Sequence, residues 1–214
     1  IDPTRGIFLA ETWRLHPDVN AFTSAAFYKG ELRSAPGAAR QFVDAPGPIT
    51  GTGVHWVPVP HAGNHNSSEE EATAVVDLYQ DLLAGGWTND RGETCPITPE
   101  DVLVIAPYNA QVELLLERLR TVATSAPVGP REPWAATVDK IQGQQGAVAI
   151  YSMATSSQDE MPRSIEFLYS LNRPNVAASR RRCLPNVVAS PDLLQVRVHT
   201  SLQLRPATAL GRFS

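Results

Sequence analysis

Apolar residues recur along the chain with two different periods, and the alternation between them predicts helices interleaved with strands. The segment "SSEEEATAVVDLYQDLLAGG" (67–86) sets Ala72, Val75, Val76, Tyr79, Leu82 and Leu83 on one side at helical spacing. Ser67 or Ser68 with a glutamate three residues on predicts a capping box at its start, and Gly85–Gly86 predict its end. Glu69–Glu71 then complement the helix dipole rather than hold a metal. "DVLVIAPY" (101–108) is a continuous apolar run, as in a strand covered on both faces. A helix follows it, with Val112, Leu115, Leu116 and Leu119 on one side. "AATV" (135–138) and "GAVAIYSMA" (146–154) predict two more buried strands.

Weaker patterns complete the outline. Val19, Phe22, Ala26 and Phe27 follow Pro17 at helical spacing. Residues 30–66 read as a loop-rich insertion, interrupted by "GVHWVPV" (53–59), an alternating strand that Pro58 and Pro60 assign to a sheet edge. "NRPNVAASRRR" (172–182) predicts a helix, "CLPNVVAS" (183–190) a strand, and "SPDLLQVR" (190–197) a last helical turn before a tail, 195–214, without a clear pattern. Strands alternating with helices give an α/β class with a mostly parallel sheet, whose ligands are expected at the carboxyl ends of the strands.

Composition narrows this picture. The 214 residues suffice for one sizeable domain. A net charge of −4 provides no global basic field for nucleic acid, leaving room only for a local patch. Two distant cysteines, Cys95 and Cys183, exclude a disulfide framework and fit a reducing cytoplasm, where Cys183 would serve as a small buried hydrophobe. No run approaches the roughly 18 apolar residues of a membrane span. The chain opens without an initiator methionine or a signal peptide, so it is expected to be a piece of a longer protein.

Candidate chemistry begins with what is missing. A phosphate-binding loop needs Gly-Lys-Ser/Thr, and both lysines, Lys29 and Lys140, follow other residues. There is no Gly-x-Gly-x-x-Gly turn either. "SQDE" (157–160) reads as a solvated loop, and His61 with His65 lacks a third zinc ligand. His16 reads as fixing the turn before its helix. Trp13, Tyr28 and Trp56 read as packing residues. Tyr108 ends a strand, where an exposed ring could stack on a base, although packing is favoured there too. Arg14 precedes a helix, and Arg180–Arg182 end another. A guanidinium can hold a phosphate with two prongs and stabilise charge that develops during hydrolysis. Most puzzling is "IQGQQG" (141–146), since a turn needs one glycine or two but not three amide side chains.

Taken in order, "ETWRLHPDVNAFTSAAFYKGEL" (11–32), "VDKIQGQQGAVAIYSMATSS" (138–157) and "LYSLNRPNVAASRRRCL" (168–184) resemble motifs IV, V and VI of superfamily 1 helicases. The branch is the one moving 5′ to 3′, which includes the nonsense-mediated-decay and Okazaki-fragment helicases. "DVLVIAPYNAQVELLLERL" (101–119) matches the strand–helix unit preceding motif V. The look is closest to the helicase half of bacterial proteins that join a RecB-like nuclease to such a helicase. The resemblance implies that residues 1–214 form a single C-terminal RecA-like domain, a three-layer P-loop NTPase-type fold without its own P-loop. It further implies ATP with Mg2+ in a cleft shared with an N-terminal RecA-like domain of the same parent chain, which would supply the metal ligands.

By family position, Arg14 is the motif IV arginine finger and Arg180 the motif VI arginine. Gln145 falls where a glutamate usually approaches the γ-phosphate and attacking water, while Gln142 and Gly143 shape the turn. Thr137, with Tyr108 and Asn109, is assigned to single-stranded DNA, RNA being an option. The implied parent is an ATP-dependent DNA helicase, cytoplasmic and not membrane-bound, with a nuclease attached as a further option.

The sequence departs from the family pattern at several points. Gln145 replaces a usual Glu and cannot accept a proton as a carboxylate does. Arg181 and Pro174 replace a small residue and a leucine. Pro185–Asn186 are expected to interrupt a central strand. "SAPVGPREPW" (125–134) lengthens the lead into motif V. These departures keep a second reading open, that of a non-catalytic nucleic-acid- or partner-binding remnant of a degenerate helicase.

Overall fold

The computed structural model describes residues 10–123, 132–141, 146–161 and 181–194, leaving aside the side chains of residues 22, 26, 27, 123 and 181–183. Within these bounds the chain runs β1 (Glu11–Thr12), α1 (Pro17–Phe27), β2 (Arg33–Ser34), β3 (Phe42–Asp44), β4 (His55–Pro58), α2 (Glu69–Leu83), β5 (Gly86–Thr88) and β6 (Thr94–Pro96). It continues through β7 (Val102–Ala106), α3 (Asn109–Ala123), β8 (Ala135–Thr137), β9 (Gly146–Ser152), β10 (Arg181–Ala189) and a last turn, α4 (Pro191–Leu194). The expected helix over 172–182, the three-glutamine turn and the tail 195–214 lie wholly or mostly outside the described residues.

The frame is a five-stranded parallel sheet in the order β4-β10-β9-β7-β8. As the prolines predict, β4 is an edge strand. β7 and β9 are buried along their whole lengths, which is why they carry continuous apolar runs. Successive residues serve opposite faces. Val102, Val104, Val148 and Ile150 join Val75, Tyr79 and Leu82 of α2 and Leu115 and Leu119 of α3 in one core. Ile105, Ala149 and Tyr151 join Tyr108, Met153 and Leu193 in a second core on the other face. Burying each large aliphatic side chain contributes about 1.5–3 kcal/mol, so the two cores hold the sheet from both sides. The architecture is a mostly parallel, RecA-like α/β fold.

Several expectations need correction. The span 30–66 carries β2, a 3-10 turn over Pro36–Arg40, β3 and β4, rather than one strand in a loop. β5 pairs with β3 on one side and β6 on the other in a small antiparallel sheet that no alternating pattern announced. The capping box of α2 is half made. Ser68 Oγ accepts from Glu71 N at 3.1 Å, but Ser68 N donates instead to Gln111 Oε1 at 2.7 Å, because the Glu71 carboxylate turns into the core. Gly85 does not end α2 by a left-handed turn. It admits the end of β3, since a Cβ there would lie 2.5 Å from Asp44 O.

Pro185 does not interrupt β10, which runs from Arg181 to Ala189 with one register shift between Arg181 and Leu184. Asn186 explains why. Its buried Nδ2 donates to Ala149 O at 3.0 Å, on the strand facing Pro185, and to Leu184 O at 3.1 Å. The side chain supplies a donor next to the residue whose own nitrogen has none.

Candidate functional site

A parallel sheet has two chemically different edges, and the candidate residues divide between them. At the carboxyl edge, Thr137 ends β8 and Pro107-Tyr108-Asn109 follow β7. Asn109 is exposed and opens α3. Thr137 is nearly buried, 9% exposed, before a 3-10 turn over Val138–Lys140. Tyr108 is 8% exposed and packed in the second core, so its ring offers no open face for stacking and the packing role holds.

At the amino edge stands Arg14, between β1 and α1. Its surroundings are pinned although its side chain is exposed. Leu15 and His16 on its far side are buried. Gln41 Nε2 donates to Arg14 O at 2.9 Å. His16 is the N-cap of α1, accepting from Asp18 N at 3.2 Å, the turn-fixing role expected of it. Asp18 in turn accepts from Thr52 Oγ1 at 2.5 Å, and Thr52 O meets His55 Nε2 at 3.1 Å at the start of β4. Arg14 thus stands on the side where β4 begins, and it makes no ion pair among the described residues.

Gly146 and Arg181 open β9 and β10 at that same edge. Gln142, Gly143, Gln145 and Arg180 lie outside the described residues. One glycine of the puzzling turn has a packing explanation: a Cβ at Gly146 would lie 2.7 Å from Asp101 O, in the turn that leads into β7.

Trp13, expected to pack, is 74% exposed beside Arg14. Tyr28 and Trp56 are partly buried. "SQDE" is a short turn whose Glu160 accepts from Gly63 N at 2.7 Å and from Ser157 Oγ at 2.9 Å, which gives it a structural task. No cluster of three or more His, Cys, Asp or Glu residues suited to a metal occurs among the described residues. No described helix is long and apolar enough to cross a membrane.

Sequence reasoning missed a buried polar network under the carboxyl edge. Glu71 is fully buried on α2. Its Oε1 lies 2.9 Å from His61 Nε2, and its Oε2 accepts from Ser152 Oγ at 2.6 Å and from Ala154 N at 2.9 Å. His61 Nδ1 is 2.7 Å from Ser156 Oγ. Gln111 Nε2 donates to Ser152 Oγ at 2.9 Å. One signal was present: residue 71 falls in register with Val75, Leu78 and Leu82, so a charged residue occupies an apolar position of the helix. Ser156, His61 and Glu71 superficially form a hydrolytic triad. All three are buried, with Ser156 1% exposed, so no substrate could reach the hydroxyl. Nearby Glu70 is exposed. Its carboxyl is held below the usual range by its own backbone N–H, then by the Ser68 hydroxyl and the Asn64 amide.

Comparison with known proteins agrees with the helicase resemblance. The AAA_12 family, described as an AAA domain, matches residues 2–192. A regulator of nonsense transcripts 1 homolog from Neurospora crassa is 26% identical over 197 residues, covering 88% of this chain and 17% of that protein. A DNA polymerase alpha-associated DNA helicase A from Schizosaccharomyces pombe is 25% identical over 183 residues, covering 81% of this chain and 26% of that protein. The chain therefore spans about a quarter or less of these relatives. Among solved structures, the C-terminal domain of a possible DNA helicase from Lactobacillus plantarum aligns with a TM-score of 0.44 at 15% identity, covering 91% of this chain and 93% of that one. The chain belongs to the AAA_12 family of AAA domains and is a C-terminal RecA-like domain of the superfamily 1 helicase type.

Proposed function

We propose that residues 1–214 are the second RecA-like domain of an ATP-dependent nucleic-acid helicase, completing an ATP site in trans to an N-terminal RecA-like domain of the same parent. The observation that carries this reading is Arg14. It is a solvent-facing guanidinium without an ion pair among the described residues, on a backbone held by buried neighbours. An arginine so placed is available to a phosphate that another domain presents.

Nucleotide hydrolysis supplies the free energy for movement along the strand. This chain's part is to bind and orient. Arg14 and Arg180 would hold phosphate oxygens, Gln142 and Gly143 would shape the turn beside them, and Gln145 would orient water through its amide. Mg2+ ligands are assigned by the helicase resemblance to the N-terminal domain of the parent. Thr137 and Asn109, on the opposite edge, are assigned to the nucleic-acid backbone. The names of the relatives include both a DNA helicase and a regulator of transcripts, so single-stranded DNA is the first substrate to try and RNA the second.

The test is steady-state ATPase of the full-length parent, with and without single-stranded DNA. Arg14→Ala should lower kcat far more than it raises KM for ATP. Unchanged turnover would remove Arg14 from the site. The chain alone should hydrolyse no ATP, since it has no phosphate loop. Gln145 keeps the remnant reading alive. A parent that is silent but regains turnover with Gln145→Glu would be a site disabled at motif V, and a parent silent with both residues would favour the remnant.

A further inference from the structure

The hydrogen bonds around Glu71 have a direction that can be followed donor by donor. Asn64 N donates to Ser156 Oγ, so the Ser156 hydroxyl hydrogen is free to go to His61 Nδ1, to which Asn64 Nδ2 also donates. With Nδ1 accepting, the His61 hydrogen sits on Nε2 and points at Glu71. The carboxylate accepts this bond and those from Ser152 Oγ and Ala154 N. Ser152 Oγ accepts from Gln111, whose Oε1 accepts from Ser68 N. Every link in the chain is satisfied, and it ties together the exits of β4, β7 and β9.

We infer that Glu71 is a positioning residue for the nucleic-acid edge. Its carboxylate holds the exit of β9 and, through Ser152 and Gln111, the first turn of α3, where Asn109 stands. The inference rests on the helicase reading above. Three observations separate it from ordinary core filling. The groups that Glu71 holds leave the ends of strands rather than their middles. One of them, Ala154, has φ +67°, a left-handed conformation that residues other than glycine seldom adopt and that needs surrounding contacts to persist. Finally, position 71 lies on the apolar face of α2, where a leucine would pack without the cost of desolvating a carboxylate.

Glu71→Gln tests the idea because the amide cannot copy the carboxylate. Its oxygen could still accept from Ser152 and Ala154. Its NH2 would face the hydrogen on His61 Nε2 and force the ring to the other tautomer. The ring's Nδ1–H would then face the Asn64 Nδ2–H donor, and the Ser156 hydroxyl would have to turn its hydrogen away to accept. In the full-length protein, amide exchange at 153–156 and 109–112 should accelerate at least tenfold, with β7 still protected. The single-stranded DNA concentration for half-maximal ATPase stimulation should rise about tenfold, while KM for ATP moves less than twofold. If Glu71→Gln does not fold, Ser152→Ala gives the same reading, since it cuts the Gln111 link and spares His61–Glu71. Unchanged exchange in the variant overturns the inference. Faster exchange with unchanged half-saturation also overturns it, by reducing Glu71 to a fold-holding residue. A parent without DNA-stimulated turnover would defeat the helicase reading instead, and accelerated exchange alone would then support the brace.

Discussion

The two edges of the central sheet are built on opposite principles. At the carboxyl edge, polar side chains are buried and fully paired: Glu71, His61, Ser152, Ser156 and Gln111 join three strand exits into one network. At the amino edge, Arg14 and Trp13 face solvent while the backbone beneath them is pinned. A surface that must keep a fixed shape gains from internal hydrogen bonds. A surface that must meet groups brought by another domain gains from leaving its donors unspent. β9 reaches from one edge to the other, and its seven residues span roughly 20 Å at about 3.3 Å each.

The largest effect should come from breaking the open edge. Arg14→Ala in the full-length parent is expected to lower kcat on the order of 10³-fold, as loss of an arginine finger does. Affinity for single-stranded DNA should change less than threefold, because that contact is assigned to the other edge. Equal losses in both quantities would erase the distinction between the edges. The closed edge should fail differently. Glu71→Ala leaves His61 Nε2, the Ser152 hydroxyl and Ala154 N without their acceptor, all in the interior. The expected cost is about 3 kcal/mol of stability, measured by denaturant unfolding, and it should be independent of ATP. A loss under 1 kcal/mol would mean that water enters and takes over the bonds.

The difference between the edges also governs how much could be read in advance. Period and composition place α2, α3, β7 and β9, because each buries a long apolar pattern, and the buried run Ala135-Ala136-Thr137 places β8. Pro58 and Pro60 place β4 at the rim of the sheet. The small sheet of β3, β5 and β6 has strands of three residues, too short to show a period. The Glu71 network was illegible for another reason. Its members lie up to 95 residues apart, and each taken alone looks like a cap, a loop histidine or a strand-end serine. Arg14 was legible as a motif, but its place on the side where β4 begins follows only from the long-range bonds among Asp18, Thr52 and His55. Trp13 carries the same lesson, since hydrophobic character alone predicted burial where the fold exposes it.

Between the edges, Asn186 tests whether the sheet acts as one frame. Asn186→Ala removes the donor to Ala149 O beside Pro185 and is expected to cost about 1–2 kcal/mol. Amide exchange should rise in β10 and along the β9 strand facing it. If the change also shifts both kcat and DNA half-saturation, the two edges are coupled through these strands. If neither shifts, the strands are scaffold only.

The smallest expected effect comes from a control that touches neither edge. Tyr79 lies on α2 in the first core, fully buried, and its hydroxyl has no hydrogen-bond partner among the described residues. Burial pushes its pKa up to about 12 from 10.0. The folded value is therefore above the unfolded one. The neutral phenol's contribution is complete below about pH 10 and is lost as the pH rises toward about 12, because the unfolded chain ionises first. The decline attributable to Tyr79 is on the order of 2 kcal/mol. Tyr79→Phe removes an unpaired buried hydroxyl, so it should raise stability by about 1 kcal/mol at pH 8. Since phenylalanine has no proton to lose, the gap between variant and wild type should widen between pH 10 and 12. Urea unfolding at pH 8 and pH 11 measures both values. A gap that stays constant would show that the hydroxyl reaches water in the folded state, and a destabilised variant would show that it has found a partner.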